Sequence, residues 1–185
     1  MGGRIVYAPS NSDDTSDANL IDATGFYLAI ANTWGGGWHY ILHLQYPSNN
    51  ALQFSSPVND TTYLFRKKVD GVWQPWECIN PPMKLGWEYR TTERYLGKPV
   101  YCKVVDCGTV PAVGASKTLM VAPNASIFSV SAYSPERGLG IPFLDANGVK
   151  LEINQSGNIL IFRNYSEKQS DTNALATVKY TKTTD

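Results

Sequence analysis

The sequence predicts an all-β protein, in which a small antiparallel β domain is followed by a β-sandwich or jelly-roll-like domain. Three observations predict this fold class. Apolar and polar residues alternate along several short runs, which is the period of a β-strand. Aromatic residues make up 12% of the chain and charged residues only 17%. Fifteen glycines and eleven prolines supply frequent turns, and no run of helical period is long enough to predict a helix.

The first predicted domain covers residues 18–82. It follows residues 1–17, a polar and unpatterned segment that we interpret as a linker or the remnant of a shaft. A strand is predicted after Gly25, and the clearest strand covers residues 38–46. His39 and His43 are predicted to meet solvent on one face of that strand. The opposite face is predicted to enter the core, and it carries Trp38, Tyr40, Leu42, Leu44 and Tyr46.

The first domain is predicted to close with a hairpin. A short strand at residues 51–55 precedes it, and the hairpin joins residues 62–69 to residues 72–79. Its turn, Asp70-Gly71, is a strong two-residue hairpin signal. Asn80-Pro81-Pro82 then breaks the pattern, and we place the domain boundary there.

The second predicted domain covers residues 83–185. Its strands recur about every ten residues with turns between them, which is typical of a sandwich or a jelly roll. The predicted strands are residues 100–107, 117–121, 127–133, 143–144, 149–153, 159–163 and 176–181.

Composition excludes several classes of protein. Sixteen Lys and Arg residues balance sixteen Asp and Glu residues, so the chain has no field that would attract nucleic acid or an anionic membrane. No segment approaches the roughly 18 apolar residues of a membrane helix, and no signal peptide is visible. Cys78, Cys102 and Cys107 form no secretory disulfide pattern, and we interpret them as reduced structural thiols.

No catalytic motif is visible, so the sequence predicts neither an enzyme nor a bound cofactor or metal. His39 and His43 lie four residues apart in a strand, which separates their rings by roughly 13 Å and keeps them from sharing one metal ion. No nucleophile elbow or phosphate-binding glycine loop occurs. Asp13, Asp14 and Asp17 lack the glycine and the terminal glutamate of a calcium loop, and we interpret them as part of a solvated linker.

A glycan hydrolase is the alternative that the sequence leaves open. Two carboxyl groups at a working distance are sufficient for that chemistry. The candidate carboxylates are Glu88, Glu93, Glu136 and Glu152.

Aromatic residues in predicted loops are candidates for ligand binding. Trp34 precedes three glycines, Tyr133 precedes a polar turn that includes Arg137, and Tyr165 lies in Asn-Tyr-Ser. An aromatic ring in a loop can stack on a sugar while nearby polar groups bond its hydroxyls. We therefore predict glycan contacts from Trp34, Tyr133, Arg137 and Tyr165, with local packing or a subunit contact as the alternative.

The first domain carries residue patterns that resemble a known family. These are Gly25-Phe26-Tyr27, the strand at residues 40–46, the run Tyr-Leu-Phe-Arg-Lys at residues 63–67, and the sequence Asp-Gly-Val-Trp-Gln-Pro-Trp at residues 70–76. Over about residues 18–80 they resemble the pyocin knob family of phage tail-fibre modules.

The second domain resembles the carboxy-terminal head of tail or receptor-binding proteins from phages and prophages of gut bacteria. The resemblance covers about residues 84–185. It is carried by residues 88–101, by Ile-Pro-Phe at residues 141–143 and by the ending at residues 178–185.

Together these resemblances imply a non-catalytic tip protein of the virion tail that binds the host surface. They imply a homotrimer that associates with other phage tail proteins and attaches to a bacterial surface polysaccharide or glycoprotein. Such a protein is made in the bacterial cytoplasm and is exposed outside the cell once assembled. The alternatives are a tailspike-like glycan depolymerase and a purely structural tail connector.

Overall fold

The computed structural model describes residues 5–10, 15–136, 139–141, 143–145, 148–165 and 173–183. These residues form strands, a short 3-10 helix at Ala18–Leu20 and no α-helix, which confirms the all-β prediction. The chain divides into two compact units, Met1–Pro82 and Met83–Asp185.

The first unit is a mainly antiparallel sheet. Its strands run in the order β1-β2-β3-β4-β5-β7, with β6 paired to β5. Among the described strands of this unit, β1 alone pairs in parallel, against β2. The Asp70-Gly71 hairpin is confirmed, because Val69 pairs with Val72 across it. The strands are β1 Val6–Tyr7, β2 Gly25–Ala29, β3 His39–Tyr46, β4 Asn50–Pro57, β5 Leu64–Val69, β6 Val72–Trp73 and β7 Glu77–Cys78.

The strand register separates this sheet into two faces. One face, here called the histidine face, is buried and carries His39, Ile41, His43, Gln53, Ser55, Leu64 and Arg66. The other, here called the aromatic face, carries large apolar side chains that are between 39% and 68% exposed: Phe26, Trp38, Tyr40, Leu44, Tyr46, Phe54, Tyr63, Val69 and Ile79.

The predicted sides of β3 are therefore reversed. Trp38, Tyr40, Leu44 and Tyr46 are exposed rather than part of the core, and Leu42 is half-buried. The histidine face is buried because the 3-10 helix and its flanks lie over it. Gln53 Nε2 donates a hydrogen bond to the carbonyl oxygen of Ala18 at 2.7 Å. Alternation predicts that a strand has two faces, but the cover supplied by other segments decides which face is buried.

Arg66 shows why polar residues can occupy the buried face. It is 5% exposed, and its guanidinium lies between the indole rings of Trp73 and Trp76, at 4.2 and 4.1 Å from their centroids. Its Nε donates to Gln53 Oε1 at 2.8 Å, and Gln53 donates in turn to His43 Nδ1 at 3.0 Å. Burial lowers the pKa of Arg66 to about 10, and the charge of Asp17 opposes that shift. Arg66, Trp73 and Trp76, which belong to the residue pattern that resembles the pyocin knob, thus form one packed cation–π cluster.

Asp17 is also part of the folded first unit rather than of a solvated segment. Its side chain is buried and accepts hydrogen bonds from the backbone of Asn19 and the amide of Asn32, at 2.8 to 2.9 Å. It caps the 3-10 helix that covers the histidine face. Asp13 and Asp14 lie outside the described residues.

The second unit consists of two antiparallel sheets, in the orders β8-β9-β16-β11-β12 and β10-β15-β14-β13. They pack over one core that includes Ile127, Leu160, Phe162, Val178 and Tyr180. The strands are β8 Glu88–Tyr95, β9 Lys98–Thr109, β10 Ser116–Met120, β11 Ala125–Ser134, β12 Leu139–Ile141, β13 Phe143–Asp145, β14 Gly148–Ser156, β15 Ile159–Asn164 and β16 Asn173–Lys182.

The three cysteines are free thiols, as the sequence predicts, and all are buried. Burial raises the pKa of Cys102 and of Cys107 to about 11. Among the described residues, no helix has the length and apolarity needed to span a membrane.

Candidate functional site

Tyr165 is held on the outer face of the second unit's smaller sheet. Along β15 the side chains of Leu160, Phe162 and Asn164 point into the core, so Arg163 and Tyr165 point outward. The Asn164 amide donates to the carbonyl oxygen of Pro111 at 2.9 Å. That buried contact fixes the backbone next to Tyr165 and leaves its ring 47% exposed.

Glu152 joins Tyr165 and Arg163 into one polar cluster, here called the Tyr165 cluster. Glu152 lies directly across from Arg163 in the register of β14 and β15. Its Oε1 accepts a hydrogen bond from the Tyr165 hydroxyl at 2.8 Å and lies 3.3 Å from Nη1 of Arg163. The hydrogen bond with Tyr165 raises the pKa of Arg163, and Glu152 adds to that shift. The guanidinium therefore remains charged.

The Tyr165 cluster has the chemical groups that recognise sugars. A half-exposed phenol ring offers an apolar surface for stacking, while a carboxylate accepts and a guanidinium donates hydrogen bonds to hydroxyl groups. Exposed polar side chains surround it on the same outer face, as the strand register shows, and these are Ser116, Thr118 and Asn154. The arrangement is able to bind a polyhydroxylated ligand.

Tyr133 lies on a different surface. It is inside β11 rather than in a loop, and it pairs with Leu175 on one side and Gly140 on the other. Ala132 and Ser134 are buried, so Tyr133 points away from the core and is 47% exposed. The two sheets share that core, which places Tyr133 and Tyr165 on opposite outer faces of the sandwich.

Trp34 belongs to the first unit, and Arg137 lies outside the described residues. Trp34 sits in the turn between β2 and β3, where it is half-buried, and Gly35, Gly36 and Gly37 follow it with positive φ angles of 68°, 76° and 84°. The four predicted contact residues therefore do not form one described site.

Arg163 is the residue of the Tyr165 cluster that the sequence interpretation missed. A signal for it was present in the turn at residues 155–158. Counting outward from the Ser156 and Ile159 pair places Glu152 opposite Arg163. Cross-strand pairs of opposite charge are common neighbours on one sheet face.

The four candidate catalytic carboxylates have separate partners. Glu88 accepts from Tyr180 and from Lys182, the latter at 2.5 Å. Glu93 pairs with Lys179 at 2.7 Å. Glu136 accepts from Asn173 at 3.0 Å, and Glu152 belongs to the Tyr165 cluster. A glycan hydrolase needs two carboxyl groups that face one scissile bond, roughly 5 to 10 Å apart.

Comparison with known proteins gives weak structural matches. No family model matches the chain, and no curated protein matches it. The R1 pyocin fibre of P. aeruginosa aligns with a TM-score of 0.35 and 12% identity, over 97% of this chain and 67% of the fibre chain. An N-truncated R2-type pyocin tail fibre aligns with a TM-score of 0.35 and 10% identity, over 96% of this chain and 97% of the other. At these values neither match defines a family for this chain.

Proposed function

We propose that this chain is a non-catalytic receptor-binding protein at the tip of a phage or prophage tail fibre. It attaches to a bacterial surface polysaccharide or glycoprotein, assembles as a homotrimer and is joined to other tail proteins. The observation that carries the proposal is the Tyr165 cluster, in which an exposed ring, a carboxylate and a guanidinium share one outer sheet face. The residue patterns that resemble a pyocin knob and a tail-protein head support the same function.

The chemistry of the Tyr165 cluster suits weak and repeated contacts. One ring and a few hydrogen bonds at an exposed site bind a sugar weakly, because water competes for every polar group. Three copies on one tip would convert weak contacts into firm attachment through effective concentration. Repeating surface polysaccharides present the same unit many times and therefore suit such a tip.

The experiment compares two tyrosines that are equally exposed on opposite faces. We expect Tyr165→Ala to weaken binding to whole bacterial cells and to arrayed bacterial surface polysaccharides by about tenfold, the equivalent of one lost stacking contact. Glu152→Gln should weaken binding in the same assay. Tyr133→Ala is the comparison variant, because Tyr133 is also a predicted contact but lies on the opposite face. If the site is confined to the Tyr165 cluster, this variant binds as the wild type does.

Two results would contradict the proposal. If Tyr165→Ala and Glu152→Gln bind as tightly as the wild type, the Tyr165 cluster is not the attachment site. If incubation with a bound polysaccharide produces new reducing ends, the protein is a depolymerase. Unchanged thermal midpoints of the variants would show that any loss of binding is local.

A further inference from the structure

The aromatic face of the first unit is a large apolar surface with a groove at its centre. Tyr40, Phe54 and Tyr63 are 47%, 39% and 56% exposed there. They border a groove of about 360 Å³ whose lining contains no charged side chain. The paired strands β3, β4 and β5 hold the backbone beneath these rings.

The exposed area is larger than a monomer ordinarily leaves in water. Aromatic side chains bury about 150 to 250 Å² each, so the six aromatic residues of this face at about half exposure present on the order of 600 Å². Leu44, Val69 and Ile79 add further exposed apolar area. The largest apolar patch on a typical monomeric protein is about 300 to 600 Å². A surface of this extent indicates a protein interface.

We infer that the aromatic face is where copies of this chain contact one another. Its area is close to the roughly 800 Å² that each partner contributes to a standard interface. A small ligand in the groove would leave Trp38 and Tyr46 uncovered, because neither lines it. The histidine face is already covered by residues of the same chain. The aromatic face is thus the exposed side of this sheet and is available for contact with another copy of the chain.

The inference deepens the homotrimer part of the proposed function by naming its contact surface. Aromatic surfaces are self-complementary, since ring packs against ring without a matching charge. The register places two charged residues on this face: Lys67, which is exposed, and Glu77, which is buried. Three copies arranged around an axis would turn their aromatic faces toward it, which closes the assembly by symmetry. The Tyr165 cluster belongs to the other unit, so substitutions on the aromatic face leave its residues unchanged.

The test is the mass of the protein in solution, measured by light scattering and by sedimentation across a range of concentrations. We expect the wild type to have about three times the 20.4 kDa mass of one chain. The double substitution Tyr40→Glu and Phe54→Glu should reduce it to a monomer, and the milder Tyr63→Lys should shift dissociation to higher protein concentration. Leu20→Glu is the control, because Leu20 is 44% exposed on the segment that covers the histidine face.

A monomeric wild type, or a double variant that retains the wild-type mass, would overturn the inference. Far-UV circular dichroism establishes whether each variant folds. If the double variant does not fold, the mass of the Tyr63→Lys variant provides the test. Failure of this inference and failure of the proposed function give different results. The inference fails in the mass measurement, if the wild type is a monomer or the double variant keeps the wild-type mass. The proposed function fails in the binding assay, if Tyr165→Ala and Glu152→Gln bind cells as tightly as the wild type does.

Discussion

Leu96 has an unusual backbone conformation for its side chain. It occupies the two-residue turn between β8 and β9 with a φ of +50°, and Gly97 follows at +79°. Left-handed backbone costs an ordinary L-residue about 1 to 2 kcal/mol, whereas asparagine and glycine adopt it readily. The Leu96 side chain is 87% exposed, so packing within the chain returns little of that cost.

We expect Leu96→Asn to raise the free energy of unfolding by about 0.5 to 1 kcal/mol, because Asn-Gly is the preferred pair for this turn. Urea unfolding followed by circular dichroism measures the change. Gly97→Ala is the matched control and should lower stability by about 1 kcal/mol, since alanine resists a φ of +79°. A less stable Leu96→Asn variant would show that the leucine side chain makes a stabilising contact in the assembled protein.

At the scale of elements, β3 is a strand with two buried histidines that the fold keeps neutral. Burial lowers the pKa of both His39 and His43. His39 Nδ1 lies 2.8 Å from the hydroxyl of Ser55. The ring of His43 accepts from Gln53 and donates from Nε2 to Gln45 Oε1 at 3.0 Å. A second proton on either imidazole ring would place a positive charge on the buried histidine face.

The charges around His43 partly oppose one another. The hydrogen bond to Gln45 favours protonation, as does the charge of Asp22, while Lys68 and Arg66 disfavour it. Desolvation is the largest cause, so the pKa in the folded state lies below the ordinary value of 6.5. The backbone of Trp34 and Gly36 favours protonation of His39, but desolvation again has the larger effect.

We therefore expect the first unit to lose stability as the pH falls below about 6.5. Below that pH the unfolded chain binds protons that the folded chain does not, so stability is complete above 6.5 and falls until the folded-state pKa is reached. The slope is at most about 1.4 kcal/mol per pH unit for each histidine. The chain contains only these two histidines, so no other side chain of ordinary pKa titrates between pH 5.5 and 7.

Tryptophan emission during urea unfolding measures this effect, because four of the five tryptophans lie in the first unit. His43→Gln, which keeps a polar side chain of similar size, should reduce the slope to about half. A midpoint that stays constant from pH 8 to pH 5.5 would show that the histidines titrate normally in the folded protein.

For the whole molecule, local sequence signals predicted the strands well and predicted the packing poorly. The Asp70-Gly71 turn and the turn at residues 155–158 fix the register of their hairpins, because a two-residue turn sets which residues pair. The strand β8 was missed because residues 88–95 are mostly polar and lack an apolar face. The burial of Ile41 and Gln53 depends on the 3-10 helix and its flank, about twenty to thirty-five residues away in sequence, and no local pattern reveals that contact.

The candidate site was also predictable only in part, because the pairing of strands decides which side chains come together. The sequence predicted Tyr165 as a contact residue and offered Glu152 only as a candidate catalytic carboxylate. Their 2.8 Å hydrogen bond results from the pairing of β14 with β15. Tyr133 and Trp34 looked equivalent to Tyr165 in sequence because each stands beside turn residues. Their separation onto another sheet face and another unit follows from topology, which long-range pairing determines.

The buried cysteines have a practical consequence for studying this protein. A thiol with a pKa of about 11 is almost entirely protonated at neutral pH, and Cys102 and Cys107 are also shielded from reagents. Cys78 is buried as well, so maleimide dyes should leave the native chain unmodified at its own cysteines. A cysteine introduced at Thr118, beside the Tyr165 cluster, would then be a selective attachment point for a fluorophore that reports ligand binding without removal of any native residue from the core.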